Sequence, residues 1–198
     1  MANRTYLYAT DLIPMHSNAG AKRKIIGLSE CKYELPFTFR LLIAGDPQLC
    51  LSNIWHFRTE AGALPHPLAL ASSFAAGLDR ARTFHALLVH PVARECFGEV
   101  LAFLDRPENQ QTHLLLELGE YLSMFEDDDE PKGKLHEKAA AFRAMLEGDP
   151  SDSIKEFAEE LNALPQGASN ETKQLVLERL GNCTWSNVLY HEPGETGA

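Results

Sequence analysis

Between residues 109 and 180, apolar side chains recur every three or four positions. No other feature of the sequence constrains the fold as much. A chain patterned this way buries one stripe of each helix and leaves the opposite stripe wet. Leu114, Leu118, Tyr121, Leu122 and Phe125 form such a stripe over residues 109–125, with Glu117 and Glu120 mostly on the other side. Leu135, Ala139, Phe142 and Leu146 repeat in the same way over 131–146. Ile154, Phe157, Leu161 and Leu164 follow, behind Ser153-x-x-Glu156, which has the form of a capping box. A last helix is predicted over 170–180, with Gly181 as its C′ residue.

The first hundred residues are less regular. Residues 3–9 alternate and favour a strand. Residues 11–24 read as a loop, holding Pro14, Asn18, Gly20 and the basic trio Lys22, Arg23 and Lys24. A short strand fits 25–28, and a short helix fits 36–44, with Pro36 in its first turn and Gly45 at its end. Residues 49–57 suit a strand or a short helix equally. Pro65-His66-Pro67 is a break, and Pro67 opens a predicted helix to residue 89 with Phe74, Leu78, Ala81, His85 and Leu88 on one stripe. Pro91 begins another helix, to Leu104. Residues 185–191 return to a strand pattern, and a lone terminal strand needs a partner. The N-terminal strand is the candidate. The prediction is an α+β, predominantly α-helical domain over 1–198, a helical bundle with a small mixed sheet formed by the N- and C-terminal strands. Within it, 1–60 is a mixed α/β part, 61–181 is helical and 182–192 is the terminal strand.

A chain of 198 residues with 44% hydrophobic and 23% charged side chains has enough apolar material for a real core. MANRTYLYAT lacks the apolar run of a signal peptide, and no stretch approaches the roughly 18 apolar residues of a membrane span. The expectation is a cytoplasmic protein. Cys31, Cys50, Cys96 and Cys183 make no CxxC pair, and they read as single buried thiols in a reducing compartment. Trp55 and Trp185 read as core or strand-facing aromatics, with a partner-facing Trp as the alternative.

Sites of known chemistry are missing from the text of the chain. It has no HExxH, GxSxG, GxGxxG or phosphate-loop motif. Glu126, Asp127, Asp128, Asp129 and Glu130 are consecutive carboxylates, but a calcium loop needs an oxygen ligand at position 5, Gly at 6 and Glu at 12. Starting at Asp127 puts Pro131 at position 5 and Lys132 at 6; starting at Asp128 puts Lys132 at 5 and Ala139 at 12. No catalytic residue, metal or cofactor is assigned.

Charge is more informative. The net charge is −10, yet residues 1–100 carry ten Lys/Arg against eight Asp/Glu, whereas 101–198 carry eight against twenty. Such a second half repels nucleic acid and anionic membranes and attracts a basic partner.

The opening MANRTYLY, the later Ile26-Gly27-Leu28-Ser29-Glu30 and Tyr33-Glu34-Leu35-Pro36 together resemble a family of small proteins of Gram-negative bacteria. Some members are similar to immunity proteins encoded beside secreted antibacterial toxins, in particular nuclease effectors of the type VI secretion system. The resemblance covers about the first 55 residues. It implies stoichiometric inhibition of a toxin with a basic surface and no catalysis. The acidic second half is then the expected contact surface, through Glu117, Glu120, Glu126, Asp127, Asp128, Asp129 and Glu130. Two other readings stay open. One is an enzyme with an unsignalled site, which needs a pocket of polar groups with perturbed titration. The other is a cytosolic adaptor.

Overall fold

Residues 4–10 are covered on both faces because they form an inner strand of a sheet. β1 (Arg4–Thr10) lies between β2 (Ile25–Lys32) and β5 (His113–Glu117) and is antiparallel to both. β4 (Ala69–Ser73) follows β5, and β3 (Gln48–Cys50) forms one edge. β6 (Thr184–Trp185) forms the other edge, against β2. The order is β3-β4-β5-β1-β2-β6. These relations come from a computed structural model that describes residues 3–55, 64–125, 134–167 and 169–191.

The helix-dominated α+β architecture is as the sequence predicts, and the N- and C-terminal strands do share a sheet. They are one strand apart rather than paired, with β2 between them. The strand pairs are all antiparallel, so the sheet is not mixed. The C-terminal strand is also shorter than expected. Beyond Trp185 the chain leaves the ladder and packs Leu189 on the far side of the sheet, where the Tyr8 hydroxyl donates to the His191 carbonyl at 2.8 Å.

Seven helices are found among the described residues: α1 (Phe37–Ile43), α2 (Phe74–Leu87), α3 (Pro91–Leu104), α4 (Gly119–Ser123), α5 (Leu135–Leu146), α6 (Ser151–Asn162) and α7 (Asn170–Leu180). Helical side chains such as Phe39, Phe84, Phe97, Leu161 and Val176 bury one sheet face, meeting Leu7, Ala9, Leu70, Leu114 and Leu116. Tyr6, Tyr8, Cys50, Ala69, Ala71 and Leu115 point to the other face, which is covered by Ile13, Ile54 and Leu189 from loops. Trp185 packs edge-on to Phe39 and Phe103 on the helix side, and Trp55 also packs against the main core, in keeping with their reading as core aromatics. No helix among the described residues is long and apolar enough to cross a membrane.

Two predicted helices prove to begin as strands. Residues 69–73 are β4, and α2 starts only at Phe74, where Ser73 Oγ accepts from Ala76 N. Residues 113–117 are β5, followed after Leu118 by the short α4. The cause is shared. Central strands covered on both faces show continuous apolar runs, not alternation. Leu68 to Ala71 and Leu114 to Leu116 are such runs, fully buried. Ala and Leu favour helix locally, but pairing in the sheet overrides that preference. The expected helical span 61–181 therefore contains two of the sheet's inner strands. The capping box at Ser153 is also corrected: α6 begins at Ser151, where Asp149 Oδ1 accepts from the Ser151 backbone N–H.

α1 ends without a following turn to absorb its carbonyls. Gly45, with φ of +98°, turns the chain away, and the guanidinium of Arg80 on α2 takes over. Its Nε donates to Leu41 O at 3.0 Å and its Nη2 to Leu42 O at 2.8 Å. Helix C-terminal carbonyls left buried and unmet are costly. Arg80→Ala is expected to destabilise the protein by about 2–3 kcal/mol, read as a lower urea midpoint with an unchanged slope.

Candidate functional site

The antiparallel register sets Cys50, Ala69, Glu117, Tyr6 and Glu30 side by side across the sheet. Residues directly opposite one another share a face, and here it is the face away from the helices. This row brings ionisable groups together at the end of the sheet where β1 begins. Arg4 Nε lies 3.5 Å from Glu30 Oε1, and its guanidinium sits over the Tyr190 ring at 4.0 Å. Arg4 N donates to Glu120 Oε2 at 2.9 Å, and Tyr190 N donates to Glu30 Oε2 at 2.7 Å.

Glu117 is the innermost member, only 2% exposed. Its Oε1 accepts from Asn53 N at 2.7 Å, and the nearby Ser52 hydroxyl also favours the charged carboxylate. Ser52 Oγ in turn accepts from Ile54 N and Trp55 N, fixing the loop that covers the row. Glu117 Oε2 and Asn53 Nδ2 are buried without a hydrogen-bond partner. Burial pushes the Glu117 carboxyl up to about 7, against the lowering effect of the Ser52 hydroxyl and the Asn53 bond. Tyr6 is pushed up to about 12, chiefly by burial and then by Glu120. Burial and the Glu117 carboxyl also raise the Cys50 thiol. A carboxyl that titrates near 7 can give and take protons at neutral pH. The cavity beside it, lined by Arg4, Tyr6, Ser52, Trp55, Glu117 and Glu120, is only about 10 Å³. That is room for about one water molecule and no substrate. Gly119 completes the seal, because Trp55 Cβ and Cγ would lie 2.9 Å from any Cβ placed there.

This placement corrects one member of the expected contact surface, Glu117. Glu117 was expected on a wet helix face, and it is buried at the end of β5. Glu120 is half-buried and holds the β1 backbone. Glu126, Asp127, Asp128, Asp129 and Glu130 lie outside the described residues.

Within the described second half, α6 carries the exposed carboxylates Asp152, Glu156, Glu159 and Glu160. Ile154, Ala158 and Leu161 face the core. Asp152, Glu156 and Glu159, spaced four and three apart, lie on the opposite side and are exposed. Asp152 is 3.7 Å from Lys155, and Glu160 is 4.0 Å from Arg179. Glu156 and Glu159 have no ion pair among the described residues. Beside the start of α6 lies a groove of about 220 Å³ that is part apolar, through Phe37, Leu41, Met145, Leu146 and Ile154, and part polar, through Arg40, Glu147, Asp149 and Ser153. Met145 is 64% exposed there. Among the described residues no three His, Cys, Asp or Glu side chains are grouped to hold a metal ion.

A family model described as "Domain of unknown function (DUF7822)" matches residues 11–178. The chain belongs to this family. No curated protein and no solved structure matches it. The family match takes in the sealed carboxyl row from Cys50 to Glu117 and the whole of α6, and it starts directly after β1.

Sequence reasoning passed over Asp152, Glu156 and Glu159, although the signal was there. The stripe of Ile154, Phe157 and Leu161 defines the buried side of the helix, so the carboxylates opposite it must face water. The run at 126–130 is longer and more concentrated, but it is set apart from any such buried stripe.

Proposed function

We propose that this chain is an immunity protein: it binds and neutralises an antibacterial toxin, a nuclease effector of the type VI secretion system, in the cytoplasm of the cell that makes both. The observation that carries this reading is the exposed carboxylate stripe Asp152, Glu156 and Glu159 on a helix whose start borders a partly apolar groove with the exposed Met145 in its lining. A nuclease presents a basic surface for its phosphate substrate. An acidic helix can occupy that surface, and long-range attraction speeds the encounter. An apolar anchor seated next to it slows release. The N-terminal resemblance to immunity proteins supports the same reading. Neither catalysis nor a cofactor is invoked.

The proposal requires a secreted nuclease encoded beside this gene, and that nuclease is the test partner. Co-expression rescues cells from that toxin, and the purified pair binds more weakly as salt is raised. The triple variant Asp152→Lys, Glu156→Lys, Glu159→Lys keeps its fold, because all three positions are exposed, and loses at least about 100-fold in affinity. Unchanged affinity of the variant, or no rescue by the wild-type chain, sinks the proposal.

The competing enzyme reading has one specific observation on its side, the Glu117 carboxyl raised to about 7. The cavity of about 10 Å³ beside that carboxyl weighs against it. Turnover of a small molecule that Glu117→Gln abolishes would favour the enzyme.

A further inference from the structure

We propose that Cys31 and Cys183 are a disulfide-forming pair: a hydroperoxide oxidises them to an intramolecular crosslink that ties the end of β2 to the segment leading into β6. This rests on strand register and does not depend on the proposed function.

Ser29 stands opposite Trp185 and Glu30 opposite Thr184. The ladder ends there, and its register continued by one step places Cys31 opposite Cys183. The Ser186 backbone N–H donates to Leu28 O at 3.1 Å, which marks 28 and 186 as a hydrogen-bonded pair. The two kinds of pair alternate along an antiparallel ladder, so 31 and 183 fall at a narrow, non-hydrogen-bonded position. Cα atoms at such positions are roughly 4.5 Å apart, inside the range a disulfide spans. Both side chains lie on the helix side of the sheet, Cys31 within the main core and Cys183 packed against it. The neighbouring Cys183 thiol, and then burial, hold the Cys31 thiol well above its ordinary value. Glu34 closes the arrangement: its Oε1 accepts from Cys31 Sγ at 3.1 Å and from Asn182 N at 3.2 Å.

Access decides the order of events. Cys31 is 1% exposed, whereas Cys183 is half-buried and lines a groove of about 300 Å³ between α3, α7 and β6. Cys183 sulfur attacks the terminal oxygen of the hydroperoxide. The O–O bond breaks, the departing oxygen takes the Cys183 thiol proton and leaves as an alcohol or water, and Cys183 becomes a sulfenic acid. Cys31 sulfur then attacks Cys183 sulfur as Glu34 accepts the Cys31 proton. The S–O bond breaks, and the hydroxyl leaves as water with that proton. Two thiols and one hydroperoxide become one disulfide, one alcohol or water, and one further water.

Cys96 lines the same groove and is the natural competitor. The full chain is treated with hydrogen peroxide, unfolded, alkylated and digested without reductant. The expected result is a monomer in which alkylatable thiols drop from four to two, with a Cys31–Cys183 peptide pair and with Cys50 and Cys96 alkylated. Cys96→Ser leaves this unchanged and Cys183→Ser abolishes it. A Cys96–Cys183 link, a crosslinked dimer, or Cys183 oxidised beyond sulfenic acid with Cys31 still free overturns the proposal.

Discussion

Glu117→Gln is expected to stabilise the protein at pH 8 by about 2–3 kcal/mol, although it removes one of the carboxylates that sequence reasoning assigns to a binding surface. In the unfolded chain this carboxyl titrates near its ordinary value of 4.5, and in the fold it titrates at about 7. At pH values below both, each state is protonated and folding incurs no charge penalty. Between the two values the unfolded chain gives up its proton first, so stability falls as pH rises. Above about 7 both states are ionised and the full penalty is present. Gln carries no charge in either state. Its carbonyl can keep the bond from Asn53 N, and its amide takes the place of the unpartnered Oε2. The measurement is the urea midpoint of wild type and variant at pH 5 and pH 8. The two proteins should differ little at pH 5 and clearly at pH 8. A wild-type–variant difference that does not change with pH would show that the Glu117 carboxyl is ionised in the fold at both values.

Gly77→Ala should act in the opposite sense to helix propensity. In an exposed helix interior the change gains about 1 kcal/mol. Here the new Cβ would stand 2.5 Å from Leu42 O and 2.7 Å from Leu114 Cδ1. The leucine side chain can shift, but the carbonyl cannot easily do so. It accepts from Arg80 Nη2 at 2.8 Å and from Ser72 Oγ at 3.3 Å, and it belongs to the last turn of α1. Glycine is what lets α2 lie this close to α1 and β5. Pushing them apart is expected to cost a net of about 2–3 kcal/mol and to lower Tm by roughly 5–10 °C. Gly20→Ala is the control, since nothing lies within 4 Å of the Cβ it would add. A Tm for Gly77→Ala that matches or exceeds the control would refute this packing argument.

The two variants lie on either side of the same sheet, and the sheet is the part that was hardest to read in the sequence. α3 and α7 are bounded by residues with strong local meaning, Pro91 at one start and Gly181 with φ of +94° at one end, so their limits are legible. β1 alternates enough to be seen. β4 and β5 are not legible, because a strand buried on both faces has no polar face to mark its period. Leu114, Leu118 and Leu122 then fit a helix as well as Leu114 and Leu116 fit a strand. The error had a functional consequence. At helical period Glu117 faces water; at period two it stands on the far face of the sheet beside Tyr6. The α6 stripe was legible, since its apolar and acidic positions obey one period from end to end.

By itself the sequence determined the helix-rich character, the acidity of the second half and the helices that carry their own start and stop signals. All of these depend on neighbours within a few residues, or on simple totals. Only the tertiary structure decided which apolar runs became inner strands, that Glu117 is sealed under Trp55, and that Cys31 meets Cys183. Each of these depends on pairing between segments far apart in the chain, and a one-residue change of register would send every side chain to the opposite face.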